Sequence, residues 1–225
     1  MCADPPRDAD PPPMPDTTPL SLDLRRTALF VCDMQNGFIK PGGSIGKLGL
    51  PTGRTDGPIP PISDLLAAFH AAGAPVVYSQ MWLRADYRDA GILAQVFPPL
   101  QGLGHSVADS WDAAIIDELA PLARDIVVRK TRWDAFQGTN LEMILRNLGV
   151  DTLVMTGIAT NVCVETTVRA AFVRDFRTML AVDATASYTE EMEKQSLEAM
   201  AFGFATLTST AAVLQAIDTA AAVTA

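Results

Sequence analysis

Short apolar runs alternate with stretches of helical spacing along most of this chain, and that alternation restricts it to an α/β fold. Residues Thr27–Cys32 (TALFVC) form an unbroken apolar run that stops at Asp33, as a strand buried on both faces does. Residues 74–79, 125–128, 151–156, 178–182 and 205–207 read as five further strands. Residues 62–72 carry Ile62, Leu65, Leu66 and Phe69 at helical spacing and end at Gly73. Residues 111–119, 139–148, 161–176, 190–202 and 209–217 read as helices, the second closed by Gly149 and the last with Ser209 as a candidate N-cap. Strands so interleaved pair in parallel, with helices over both faces of the sheet. Residues 40–61, rich in Gly and Pro, read as a long loop. Residues 82–110 are irregular and read as lining or covering a site.

A chain of 225 residues with 48% hydrophobic content suits one such domain, taken as residues 21–225. Residues 1–20, rich in Pro and Asp, read as a flexible arm, and they lack the apolar core of a secretory signal. The formal net charge of −9 repels phosphate backbones and gives no attraction to anionic lipid, so neither nucleic acid nor membrane is expected as a partner. Cys2, Cys32 and Cys163 form an odd set without framework spacing, as free thiols do in a reducing cytoplasm. No recurring period marks a repeat protein.

Parallel sheets bind ligands at the carboxyl ends of their strands, near a switch in strand order. Three reactive side chains fall there: Asp33 after the first strand, Lys130 after the third and Cys163 just after the fourth. Cys163 stands six residues beyond Gly157, in the first turn of the following helix, where unpaired N–H groups and the helix dipole favour a thiolate. Position alone leaves it open between a nucleophile and a small buried hydrophobe. A nucleophilic thiol needs a base, and Asp33 can accept its proton while Lys130 supports the charge. An Asp in this place also caps turns, and a Lys is often a solvated charge; the triple on one rim favours chemistry. His70 reads as solvent-facing and His105 lies in a Gly-rich loop, so a Cys–His pair is not favoured. The chain has no Gly-x-Gly-x-x-Gly after its first strand, no Walker loop, no Gly-x-Ser-x-Gly elbow and no metal-ligand spacing of His and Cys. No cofactor and no metal are expected.

Residues 31–38 (VCDMQNGF), 128–130 (VRK) and 157–164 (GIATNVCV) resemble, in this order, the three motifs of the isochorismatase-like cysteine hydrolases, and the similarity runs from about residue 27 to 217. The resemblance implies a six-stranded parallel sheet between helices. It implies Cys163 as nucleophile, Asp33 as base and then acid, and Lys130 as electrostatic support. It implies a cis peptide between Ile158 and Ala159, with the backbone N–H groups of Ala159 and Cys163 facing an oxyanion. Retention of the cysteine favours hydrolysis of an amide or ureido C–N bond over isochorismatase-type cleavage of a vinyl ether. A non-catalytic binding module of the same fold is the remaining alternative, and the intact triple speaks against it. The chain looks most like ureidoacrylate and biuret hydrolases, and the resemblance further implies a homo-oligomer, dimer or tetramer. It departs from them at Met81 and at the pair Trp133–Asp134. Gln35, Phe38, Gln80, Trp82, Trp133 and Phe136 sit just past strand ends and are substrate-binding candidates, with core packing the other explanation for each. Arg84 and Arg132 are candidates for binding a substrate carboxylate.

Overall fold

The computed structural model describes residues 21–224; the N-terminal arm inferred from residues 1–20 lies outside them. The chain runs through β1 (Thr27–Cys32), short helices α1 (Asn36–Ile39) and α2 (Ser44–Lys47), α3 (Ile59–Ala71) and β2 (Val76–Met81). Short helices α4 (Leu93–Val96) and α5 (Pro98–Gly102) precede β3 (Ile126–Lys130), α6 (Leu141–Asn147) and β4 (Thr152–Ile158). It ends with α7 (Glu165–Phe172), β5 (Arg177–Ala186), α8 (Glu190–Gly203), β6 (Thr206–Thr208) and α9 (Thr210–Thr224). The six strands form one parallel sheet in the order β3-β2-β1-β4-β5-β6.

Every residue of β1 is buried because layers pack on both of its faces. Leu29 and Val31 enter one apolar cluster with Ile62, Leu65 and Phe69 of α3 and Val213 and Ile217 of α9. Ala28, Phe30 and Cys32 enter the other, with Leu141 and Leu145 of α6, Val168 and Ala171 of α7 and Met200 of α8. The three-layer α/β fold expected from the sequence is the fold observed. Among the described residues, no helix is long and apolar enough to cross a membrane.

Several boundaries depart from the sequence reading. Residues 111–119 do not form one helix but turns ending in a 3₁₀ turn, Asp117–Leu119. Their backbone is used elsewhere: the carbonyls of Ala114 and Asp112 accept the N–H groups of Asn36 and Gly37 at 2.9 and 2.8 Å. The thiol-bearing helix does not run from 161 to 176. A π-helical turn, Thr160–Val164, comes first, and regular α-helix begins only at Glu165. Strand β3 continues through Arg129 and Lys130, because β2 pairs with it as far as Met81↔Lys130.

Candidate active site

The strand order reverses between β1 and β4, and the carboxyl ends of these two neighbours build the rim where ligands bind in open α/β sheets. Cys32 pairs with Gly157 at that edge. Gly157 has φ of +102°, and a Cβ there would overlap the backbone of Cys32, so only glycine fits. Asp33 leaves β1 in a left-handed conformation, with φ of +48°. The Ile158–Ala159 peptide is cis, and the turn holding Cys163 follows directly.

This turn is anchored from the far side of β4. Thr160 and Thr185 share a hydroxyl hydrogen bond of 2.8 Å, and Thr185 donates to the carbonyl of Gly157 at 2.8 Å. Ser187 donates to Asn161 Oδ1 at 2.7 Å, and Ser196 of α8 donates to Glu165 Oε2 at 2.6 Å. Packing from β5 and α8 therefore fixes the thiol against the rim.

Asp33 and Lys130 form an ion pair at 2.7 Å with both side chains wholly excluded from solvent. Ser79 Oγ donates to Asp33 Oδ1 at 2.6 Å. Lys130 Nζ also donates to the carbonyls of Arg132 and Trp133 at 3.0 and 2.9 Å. Burial works against the Lys130 ammonium, but Asp33 and the adjacent thiols hold its pKa above the ordinary value. Burial pushes the Cys163 thiol well above its ordinary 9.0; Lys130 offsets part of this, while the charge of Asp33 and a hydrogen bond to it push the thiol further up. The sequence pointed to a thiolate stabilised by a helix start. The surroundings in the structure push the thiol the other way, because burial and Asp33 outweigh Lys130. Cys32 is likewise raised, by burial and then by Asp33.

Of the six pocket candidates, Trp133 stands in a cavity beside the rim, its ring centroid 6.0 Å from that of Phe97. Gln35 is fully buried and turned to structural use. Its amide N–H₂ donates to the carbonyls of Met81 and Ala113 at 3.0 and 2.8 Å, and its oxygen accepts the N–H of Met81 at 2.7 Å. Phe38 meets the ring of His105 edge-on at 5.0 Å. Gln80 and Trp82 line a separate groove with Arg129, whose guanidinium lies 4.0 Å over the Trp82 ring. Phe136 packs in the core against Phe176 at 5.7 Å. Gln35 and Phe136 are thus framework rather than open pocket wall.

The histidines also have places the sequence did not indicate. His70 is not solvent-facing but pairs with Asp125 at 2.8 Å, with its side chain 16% exposed. His105 is buried, its Nδ1 2.7 Å from Ser44 Oγ, which donates onward to Asp112 Oδ2 at 2.9 Å. Arg84 is paired with Asp86 at 2.8 Å. Tyr188, beyond β5, was not singled out from the sequence. Burial pushes its phenol up, and the charges of Cys163 and Asp33 add to this. Its signal was hidden because β5 runs four residues past the expected end at Val182. Among the described residues, no group of three or more His, Cys, Asp and Glu side chains is placed to hold a metal ion.

The isochorismatase domain model matches residues 27–212. The chain belongs to the isochorismatase family. It is 38% identical over 180 residues to the ureidoacrylate amidohydrolase RutB of Agrobacterium fabrum, covering 74% of this chain and 78% of that protein. The crystal structure of a cysteine hydrolase from Pseudomonas syringae pv. phaseolicola superposes with a TM-score of 0.82 at 30% identity, over 91% of this chain and 100% of the other. N-carbamoylsarcosine amidase from Thermoplasma acidophilum superposes with a TM-score of 0.67 at 30% identity, over 82% and 96%. In this isochorismatase-family chain the three sequence motifs are the three elements that meet at the rim.

Proposed function

We propose that this protein is a cysteine amidohydrolase that cleaves a C–N bond of a small ureido, carbamoyl or amide compound through a covalent Cys163 intermediate. Its amidohydrolase relatives make it a hydrolase of C–N bonds other than peptide bonds. The observation that carries the mechanism is the wholly buried ion pair of Asp33 with Lys130 at 2.7 Å, on the rim from which the Cys163 turn leaves. Asp33 takes the thiol proton as Sγ attacks the carbonyl carbon. The oxyanion that forms is met by the backbone N–H groups of Ala159 and Cys163. The C–N bond then breaks, and Asp33 returns the proton to the departing nitrogen, which leaves as ammonia or an amine. Water attacks the resulting thioester or thiocarbamate, losing a proton to Asp33. The thiolate departs and is reprotonated from Asp33. Lys130 keeps its charge throughout, stabilising the carboxylate and the transient thiolate. We place the enzyme in the cytoplasm as a homo-oligomer, on the family resemblance and its free thiols; light scattering tests the assembly.

Ammonia release from ureidoacrylate, N-carbamoyl amino acids, biuret and simple amides tests the proposal. At least one is hydrolysed, and Cys163→Ala lowers its kcat by roughly 10⁴-fold or more. Turnover that survives the substitution excludes a cysteine nucleophile.

A further inference from the structure

Beside the rim lies a cavity of about 420 Å³, walled on one side by Ile92, Val96 and Phe97 and on the other by Arg132, Trp133 and Asp134. Asp33, Lys130 and Cys163 do not line it, but close chain neighbours of Lys130 and Cys163 do. The carbonyls of Arg132 and Trp133 hold the Lys130 ammonium, and Thr166, also in the lining, stands one helical turn beyond Cys163.

Arg132 is half-buried and has no carboxylate within ion-pair distance among the described residues. Its Nη1 alone is engaged, donating to the carbonyls of Asp89 and Thr131 at 2.8 and 2.6 Å and to Thr131 Oγ1 at 3.3 Å. These bonds fix the guanidinium plane and leave the Nε–Nη2 edge without a partner. That edge is a fork that binds a carboxylate through two parallel hydrogen bonds. Gly91, at φ of +57°, lies beside that edge, and a Cβ there would overlap Nη2, so a larger residue would crowd the fork. In a chain of formal charge −9, an anion needs such a local cation. Asp134 shares the lining without pairing to Arg132. Its Oδ1 accepts the N–H of Phe136 at 2.7 Å, which leaves Oδ2 to accept an N–H.

We propose, building on the amidohydrolase assignment above, that Arg132 is a specificity residue that binds a carboxylate carried by the substrate. The substrate class is then a ureido or amide acid. Its carboxylate lies on the Arg132 fork, its planar body lies against Trp133 and Phe97, and an N–H faces Asp134.

The test is calorimetric titration of the Cys163→Ala protein, which binds without turnover, with ureidoacrylate and with its methyl ester. The acid binds about 10–100-fold tighter than the ester, the range of a charge-assisted pair. In Cys163→Ala/Arg132→Gln the ratio falls to near one. In Cys163→Ala/Arg132→Lys it is intermediate, because the charge stays and the fork is lost. Equal binding of acid and ester, binding of neither, or a preference that survives Arg132→Gln overturns the proposal. The comparison on Cys163→Ala alone decides the matter should an Arg132 variant fold poorly. Turnover by the native enzyme is read separately. An intact acid preference with no ammonia from any compound of the panel above overturns the amidohydrolase assignment and leaves carboxylate binding standing.

Discussion

The protonation state of Cys163 follows from three neighbours acting in opposite directions. Burial disfavours the thiolate, Lys130 favours it, and Asp33 disfavours it both by its charge and by accepting the thiol hydrogen bond. Asp33 therefore holds back the very anion it generates, and the nucleophile exists only while a carbonyl carbon is there to receive it. Replacing Asp33 by Asn separates the two roles. The thiol keeps its burial but loses the carboxylate that adds to its pKa, while Lys130 still favours the anion. At pH 8, Asp33→Asn is expected to be alkylated by iodoacetamide at Cys163 faster than the native protein, yet to lose turnover. Mass spectrometry of the Cys163 peptide distinguishes it from Cys32. An alkylation rate equal to or below the native rate overturns this account of the thiol.

Among the elements, β4 carries the tightest constraint. Its pairing with β1 reaches Cys32↔Gly157, and its register with β5 shifts between Met155 and Gly157. Gly157→Ala places a methyl group against backbone, which cannot rotate aside, and demands a positive φ from an L residue. We expect a loss of about 1–3 kcal/mol in urea unfolding, as for other overpacked sites, and reduced turnover because Asp33 and the Cys163 turn leave from the same edge. Full native stability in the variant contradicts the close approach. The sequence was plainest where one force dominated. Strand β1 is buried on both faces and reads as an unbroken apolar run, so its limits were legible to the residue. Strand β3 lies at the sheet edge with Val127 and Arg129 exposed, and its Arg-Lys end resembles a strand exit. The π-turn is a local widening that helical periodicity does not register. Asp33, Lys130 and Cys163 were legible because each ends a strand or follows one closely. For Gln35 the sequence left pocket and core packing both open, because its partners are backbone groups 46 and 78 residues away in sequence, which no local pattern reveals.

At the scale of the whole molecule, these buried groups confine stability to a window of pH. His105 is lowered from 6.5, chiefly by burial, with Asp112 and Asp33 opposing it. The unfolded chain thus binds its proton more readily, and the stability His105 confers is present above pH 6.5 and lost as the pH falls below it. Cys163 and Cys32 are shifted the other way, raised from 9.0 mainly by burial, and Tyr87 is pushed up to about 12 from 10.0. These groups keep their protons in the fold after the unfolded chain has released them. Their contribution is complete below pH 9.0 and is lost as the pH rises. Each group in this regime lowers the unfolding free energy by about 1.4 kcal/mol per pH unit. Urea unfolding from pH 5 to 11 is therefore expected to trace a plateau between about pH 6.5 and 9 with a fall on either side. The two limbs have different owners. Cys32→Ala/Cys163→Ala flattens the alkaline limb between pH 9 and 10, before the phenols contribute, and leaves the acid limb in place. His105→Gln removes part of the acid limb alone. An alkaline limb that persists undiminished in the double cysteine variant would assign it to surface charge instead of to the buried thiols at the rim.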